Sequence, residues 1–141
     1  MTTDERNAEF VRRVFDDGWN RSSFGFLEGA TADLMPFHYN GATQQVTPES
    51  LPRLVQMWRS AFPDLAMEIR HVIAQGDLVA VALTLRGTHL GPWEGHEPSG
   101  AQIAVEEMMV FRFDSGLLVE MWEVFADHGL RAQITRSADH A

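Results

Sequence analysis

Between Phe62 and Met67 the spacing of apolar residues changes, and that change constrains the fold more than any other feature of the chain. Upstream, apolar side chains recur at helical intervals; downstream they alternate. Thr2 and Glu5 have capping-box spacing, and Phe10, Val11, Val14, Phe15 and Trp19 continue one stripe, so the spacing predicts a first helix ended near Gly18 and Asn20. A second, shorter helix is expected over Phe24 to Ala32 with Phe26, Leu27 and Ala30 inward, stopped by Pro36; Phe37 to Gly41 reads as a short strand or loop. Thr47 and Pro48 form an N-cap and first-turn pair for a third helix, which carries Leu51, Leu54, Val55, Trp58, Ala61 and Phe62 on one stripe and ends at Pro63.

From Met67 onward, strands are bounded by turn signals at Gln75-Gly76-Asp77, at Gly87 to Gly100 and at Asp114-Ser115-Gly116. Helices followed by strands indicate an α+β architecture, a curved antiparallel sheet wrapped over N-terminal helices. The last hairpin is expected to have a three-residue loop that spares Ser115 a positive φ, with Phe113 opposite Leu117 and Glu107 opposite Glu123. Alternation then sets Glu106, Met108, Val110, Arg112, Leu118, Glu120, Trp122, Val124 and Ala126 on one face and Glu107, Met109, Phe111, Phe113, Val119, Met121, Glu123 and Phe125 on the other. The first of these is expected to cover the helices. The second is too apolar for water, which predicts a homodimer packed through this outer sheet face, with Glu107 and Glu123 needing hydration or a partner's cation.

At 141 residues, 45% of them hydrophobic, one domain with one core is expected, and no linker or repeat divides it. A formal charge of −9 without a Lys/Arg cluster argues against nucleic acid or an anionic membrane surface as partners. With no cysteine, disulfides and thiolate chemistry are excluded, and with neither a signal pattern nor a spanning apolar run the expectation is a cytoplasmic protein.

An ordered set of short motifs runs along the chain: Ala61-Phe62-Pro63-Asp64-Leu65, Gly76 to Val81, Gly87-Thr88-His89-Leu90-Gly91, Pro98-Ser99-Gly100, Gly116 to Trp122, then Leu130 and Gln133. Over roughly residues 8 to 135 this succession resembles the SnoaL-like polyketide cyclase family of the nuclear transport factor 2-like superfold. The resemblance implies a cone-shaped α+β barrel around a largely apolar cavity that takes small hydrophobic or aromatic molecules, without a bound cofactor. It also implies either aldol ring closure or participation in hydroxylation of anthracycline-type rings, in antibiotic biosynthesis, the latter with a redox partner of unknown identity.

In cyclase members an Asp four residues after the tryptophan serves as acid/base, with a histidine nearby; here that position is Ala126, which points away from standard aldol closure and toward the hydroxylation-associated members. Asp127 follows at the strand-to-helix junction, where it is either a displaced acid/base or a helix-start residue favoured by the macrodipole. Glu106 and Glu120 are carboxylates on the face expected to be inner, Glu120 having Arg112 diagonal to it as a structural ion-pair partner, Glu106 having none. His38, flanked by Phe37 and Tyr39, is either a cavity-wall acid/base or a satisfied structural histidine, and His89 is placed near the mouth. His71, His96, His128 and His140 look like ordinary strand, loop, helix and tail residues, and no histidine spacing recommends a metal. Trp58, Trp93 and Trp122 are candidates to stack on a flat ligand, Trp93 from a loop that suits a lid.

Three functional classes fit these residues: an acid/base tailoring enzyme, a catalytically silent ligand-binding protein, and a dimerising structural module. The density of polar residues expected inside favours the enzyme.

Overall fold

The computed structural model describes residues 1–139. Helix α1 (Thr3–Arg13) starts as the sequence predicts, the Glu5 N–H donating to Thr2 Oγ1 at 3.1 Å. It does not stop at Gly18: the backbone widens into a π-helical stretch, Val14–Trp19, that carries four buried residues across the sheet. The expected helix over Phe24 to Ala32 is only a 3-10 turn, Gly25–Leu27, because glycines at 25 and 29 interrupt it and Gly29 takes φ 69°. Strands β1 (Met35–Tyr39) and β2 (Ala42–Val46) then form a hairpin. Helix α2 (Ser50–Ala61) follows, starting slightly later than Thr47-Pro48 suggests.

The period-two half folds as β3 (Ala66–Gln75), β4 (Leu78–Thr88), β5 (Gln102–Asp114) and β6 (Leu117–Phe125), and α3 (Asp127–Asp139) closes the chain. The six strands form one curved sheet in the order β2-β1-β6-β5-β4-β3. It is α+β as expected, but the sheet is mixed rather than wholly antiparallel, since β1 runs parallel to β6, and it is open rather than closed into a barrel.

The helices cover the face opposite to the one expected. Along β5 odd-numbered residues are buried and even ones are not: Phe111 is 1% exposed and Glu107 4%, whereas Met108 is 64% and, on β6, Val124 is 68%. Phe15 meets Phe111, and Phe10 meets Phe113, edge-on across the helix–sheet interface. The face assigned to a homodimer is therefore the core face. Strand alternation separates the two faces but does not say which one the helices choose, and the apolar residues assigned to a partner subunit are instead covered by the chain's own helices.

The β5–β6 turn is also tighter than expected, a two-residue Ser115-Gly116 loop with φ of 53° and 81° at those positions and Asp114 opposite Leu117. Ser115 takes the positive φ that the longer loop would have spared it. A bulge follows: Arg112 pairs with Glu120 but Phe113 with Leu118, leaving Val119 unpaired. The bulge turns Leu118 from the Glu106 face onto the core face, and it sets Glu107 opposite Phe125 rather than Glu123.

Candidate functional site

Between the core face and the helices lies a cavity of about 450 Å³. Val14 and Trp19 from the π-helical stretch form part of its wall, and Leu51, Leu54 and Trp58 from α2 form another. The floor is the sheet: Phe37 and Tyr39 of β1, Glu107, Met109 and Phe111 of β5, and Leu118, Met121, Glu123 and Phe125 of β6. Exposed Gln44, Gln45 and Met57 mark its opening between β2 and α2.

Most of this lining is apolar, and against it stand four carboxylates and a phenol: Glu94, Glu107, Glu123, Asp127 and Tyr39. Glu107 and Glu123 lie close enough in this lining for each carboxyl to act on the other. Burial pushes both carboxyls above the usual carboxylate range, and the negative charge of Glu123 pushes Glu107 well above it. Two carboxyls so placed can share a proton, one acting as donor and the other as acceptor. Burial, reinforced by the surrounding carboxylates with Glu123 foremost, raises the Tyr39 hydroxyl as well and keeps it a neutral donor.

Each of these groups is held by backbone features. Tyr39 sits at the end of β1, where Asn40-Gly41 makes a tight turn with φ of 47° and 87°. The Asn40 side chain then reaches to β6, its amide donating to the Phe125 carbonyl at 3.2 Å and its oxygen accepting the Phe125 N–H at 2.9 Å. That clamp fixes Tyr39 beside Glu123, its register partner across β1 and β6. At the other end Asp127 is the first residue of α3 and takes Arg131 Nε at 3.2 Å, while Arg131 Nη2 reaches Glu94 at 2.6 Å. Asp127 is thus both a helix-start residue and part of the cavity lining.

The other expected acid/base residues lie on the opposite face of the sheet. His38 Nε2 bonds Glu120 at 2.7 Å and its Nδ1 bonds Thr43 at 2.8 Å, while Arg112 Nε donates to the other Glu120 oxygen at 2.9 Å. These contacts, His38 first, lower the Glu120 carboxyl. The His38 ring stacks on Trp122 with centroids 5.1 Å apart. His38, Glu120, Arg112 and Trp122 therefore build an outer-face cluster, not a cavity wall. Glu106 is also outside, accepting from Thr84 Oγ1 at 3.3 Å. The physical reason is alternation: each neighbours, in sequence, a residue that does enter the cavity, namely Tyr39, Glu107, Phe111, Met121 or Glu123.

Ala126 is exposed and lies outside the cavity lining, between Phe125 and Asp127 that belong to it, and its carbonyl accepts the Leu130 N–H as the N-cap of α3. Glu123, directly after Trp122, supplies a carboxylate inside. His89 is not at the mouth: it is fully buried, with its Nδ1 accepting the Ser99 N–H at 3.1 Å and bonded to Ser99 Oγ at 2.8 Å. Burial lowers its pKa. Trp58 and Trp93 do line the cavity, their rings 4.2 Å apart. His140 lies outside the described residues.

Sequence reasoning missed the cavity roles of Tyr39, Glu107 and Glu123. The Asn40-Gly41 pair was the available signal for the first, since Asn-Gly between apolar strands marks a tight hairpin and puts Tyr39 on a strand. For the glutamates the signal was their shared place on the more apolar face of the last hairpin, which the sequence alone assigned to a subunit interface.

A family model for SnoaL-like polyketide cyclases matches residues 9–134. Among solved structures the fold recurs in a proposed SnoaL-like polyketide cyclase from Jannaschia sp. CCS1, with a TM-score of 0.83 and 24% identity over 96% of this chain and 95% of that one. A proposed polyketide cyclase from Acidithiobacillus ferrooxidans has a TM-score of 0.82 at 22% identity over 98% and 100%. AclR, a proposed hydroxylase from Streptomyces galilaeus, has a TM-score of 0.78 at 25% identity over 96% and 83%. No protein of curated function matches the sequence. With its family match spanning nearly the whole chain, this protein belongs to the SnoaL-like polyketide cyclase family.

Proposed function

We propose that the protein is an acid/base tailoring enzyme for a small aromatic, polyketide-type molecule, with Glu107 and Glu123 as the proton-transfer pair. One observation carries this: two neighbouring, deeply buried carboxyls lie inside a largely apolar cavity. Such a pair costs folding free energy and marks a functional site, and burial moves both toward the neutral range where proton transfer is efficient.

The chemistry follows from the pair. The ionised carboxylate, Glu123, takes a proton from a carbon beside a carbonyl, and the Tyr39 hydroxyl donates a hydrogen bond to the developing enolate oxygen. The enolate carbon then bonds to a second carbonyl carbon of the same molecule, and that carbonyl's oxygen receives the proton of Glu107. No atom is lost, and the proton left on Glu123 returns the pair to its starting state by passing to Glu107. Asp127 and Glu94, held by Arg131, border the same cavity and orient the ligand rather than exchange protons. Because Glu107 and Glu123 supply carboxyls inside the cavity, Ala126 does not speak against ring closure. The proposed hydroxylase activity of AclR keeps ring hydroxylation as the other branch of this reading.

Hydrogen–deuterium exchange at the activated methylene of an aromatic 1,3-diketone, followed by NMR in deuterated buffer, tests the assignment. Wild-type protein is expected to accelerate exchange, and Glu123→Gln to lose about 100-fold or more of that acceleration. Glu106→Gln and His38→Ala are expected to retain it. Full activity in Glu123→Gln would overturn the assignment. A protein that binds aromatic diketones tightly and exchanges none would instead be a carrier or sensor with the same fold.

A further inference from the structure

The polar groups of the cavity have one sign. Glu94, Glu107, Glu123 and Asp127 all line it, and its lining contains no lysine, arginine or histidine among the described residues. The neighbouring cation, Arg131, is already engaged by Glu94 and Asp127. Four carboxyl groups thus border this volume, with one guanidinium beside them. Glu107 is 4% exposed, and what it meets inside is another carboxyl. A ligand carboxylate or phosphate would add like charge in a place screened poorly by water.

The rest of the lining fits the opposite charge. Phe37, Tyr39, Trp58, Trp93, Phe111 and Phe125 surround the same volume. Their ring faces are negative, and a cation within reach of several of them gains from each. Edge contacts between Trp58 and Phe125, at 5.6 Å, and the close Trp58–Trp93 pair hold these rings in place before a ligand arrives. The chain's overall charge of −9 adds a field that draws cations and repels anions.

We propose that the ligand of this cavity carries a protonated amine on an aromatic skeleton, held between the carboxylates and the aromatic rings. This rests on the reading of the cavity as a small-molecule site and adds the charge of the molecule that occupies it. A ligand with a free carboxylate is rejected.

Three matched probes test it: 2-(2-naphthyl)ethylamine, 2-(2-naphthyl)ethanol and 2-naphthylacetic acid, titrated calorimetrically into the wild-type protein at pH 7. The amine is expected to bind about 10-fold more tightly than the alcohol, which is one cation–aromatic and charge contribution of roughly 1.4 kcal/mol, and the acid more weakly than either. Glu123→Gln is expected to bring the amine to within about 3-fold of the alcohol, and Asp127→Asn serves the same purpose if that variant does not fold. Equal binding of amine and alcohol, or tightest binding of the acid, overturns the charge assignment and leaves the small-molecule site intact. If none of the three binds the folded wild type, both fall.

Discussion

Replacing Glu107 with glutamine should make the protein more stable at neutral pH while removing its proposed proton donor. Glu107 is buried at 4% exposure, and its folded-state pKa is raised by burial first and by the charge of Glu123 second. A carboxyl raised in the folded state contributes stability that is complete below its unfolded pKa, about 4.3, and that is lost as pH climbs toward the folded value. At pH 7 the wild type therefore bears the cost of holding a proton that the unfolded chain releases, about 1.4 kcal/mol for each unit of displacement. Glutamine keeps the shape, donates its amide N–H to Glu123 and has no proton to lose. The expected gain is on the order of 1–3 kcal/mol, the usual cost of desolvating a buried polar group, or roughly 3–10 °C in melting temperature for a chain of this length. Circular-dichroism melts of both proteins from pH 4 to pH 8 read it directly. The curves should converge near pH 4 and separate as pH rises. A variant that is no more stable at pH 7, or a difference that does not change with pH, would refute the shared-proton description of the pair.

Other outcomes follow from single contacts. A methyl group on Gly91 would lie 2.0 Å from the Ser60 carbonyl oxygen, so Gly91→Ala should cost about 2 kcal/mol or more and loosen the loop carrying Trp93, seen as a lower melting temperature and faster amide exchange over residues 90–100. Gln133 bonds both the N–H and the carbonyl of Ala104, at 2.8 and 2.9 Å, and thereby pins α3 to β5; Gln133→Ala should lose about 1–2 kcal/mol in urea denaturation. Ala126→Asp should not create a cavity base. At the N-cap of α3 it should instead stabilise by about 0.5–1 kcal/mol, with diketone exchange unchanged. His89 is held neutral by burial, so its contribution is complete above an unfolded pKa near 6.5 and declines as pH falls below it; His89→Gln should flatten that part of the wild-type stability curve.

The local elements and the class of fold were legible in the chain because they depend on local spacing. Helix α1 with its Thr2 cap, the stripe from Leu51 to Phe62, the strands after Met67 and the succession of motifs ending at Leu130 and Gln133 all follow from periodicity and turn chemistry. Even the roles of Leu130 and Gln133 make sense afterwards, the first fully buried and the second tied to β5. What only tertiary structure decided was which face of the sheet the helices cover. β5 and β6 have apolar residues on both faces, so pattern separates odd from even but assigns neither to the inside. Each face also carries charged residues, Glu106, Arg112 and Glu120 on one and Glu107 and Glu123 on the other, so charge does not separate them decisively either. One choice of face moved His38, Glu106, Arg112, Glu120 and Trp122 to the outside and brought Tyr39, Glu107 and Glu123 together in the cavity. The β1–β6 pairing that sets Tyr39 beside Glu123 joins residues more than eighty positions apart. No local pattern records such a contact, since it exists only once the sheet has formed and the helices have taken their side of it.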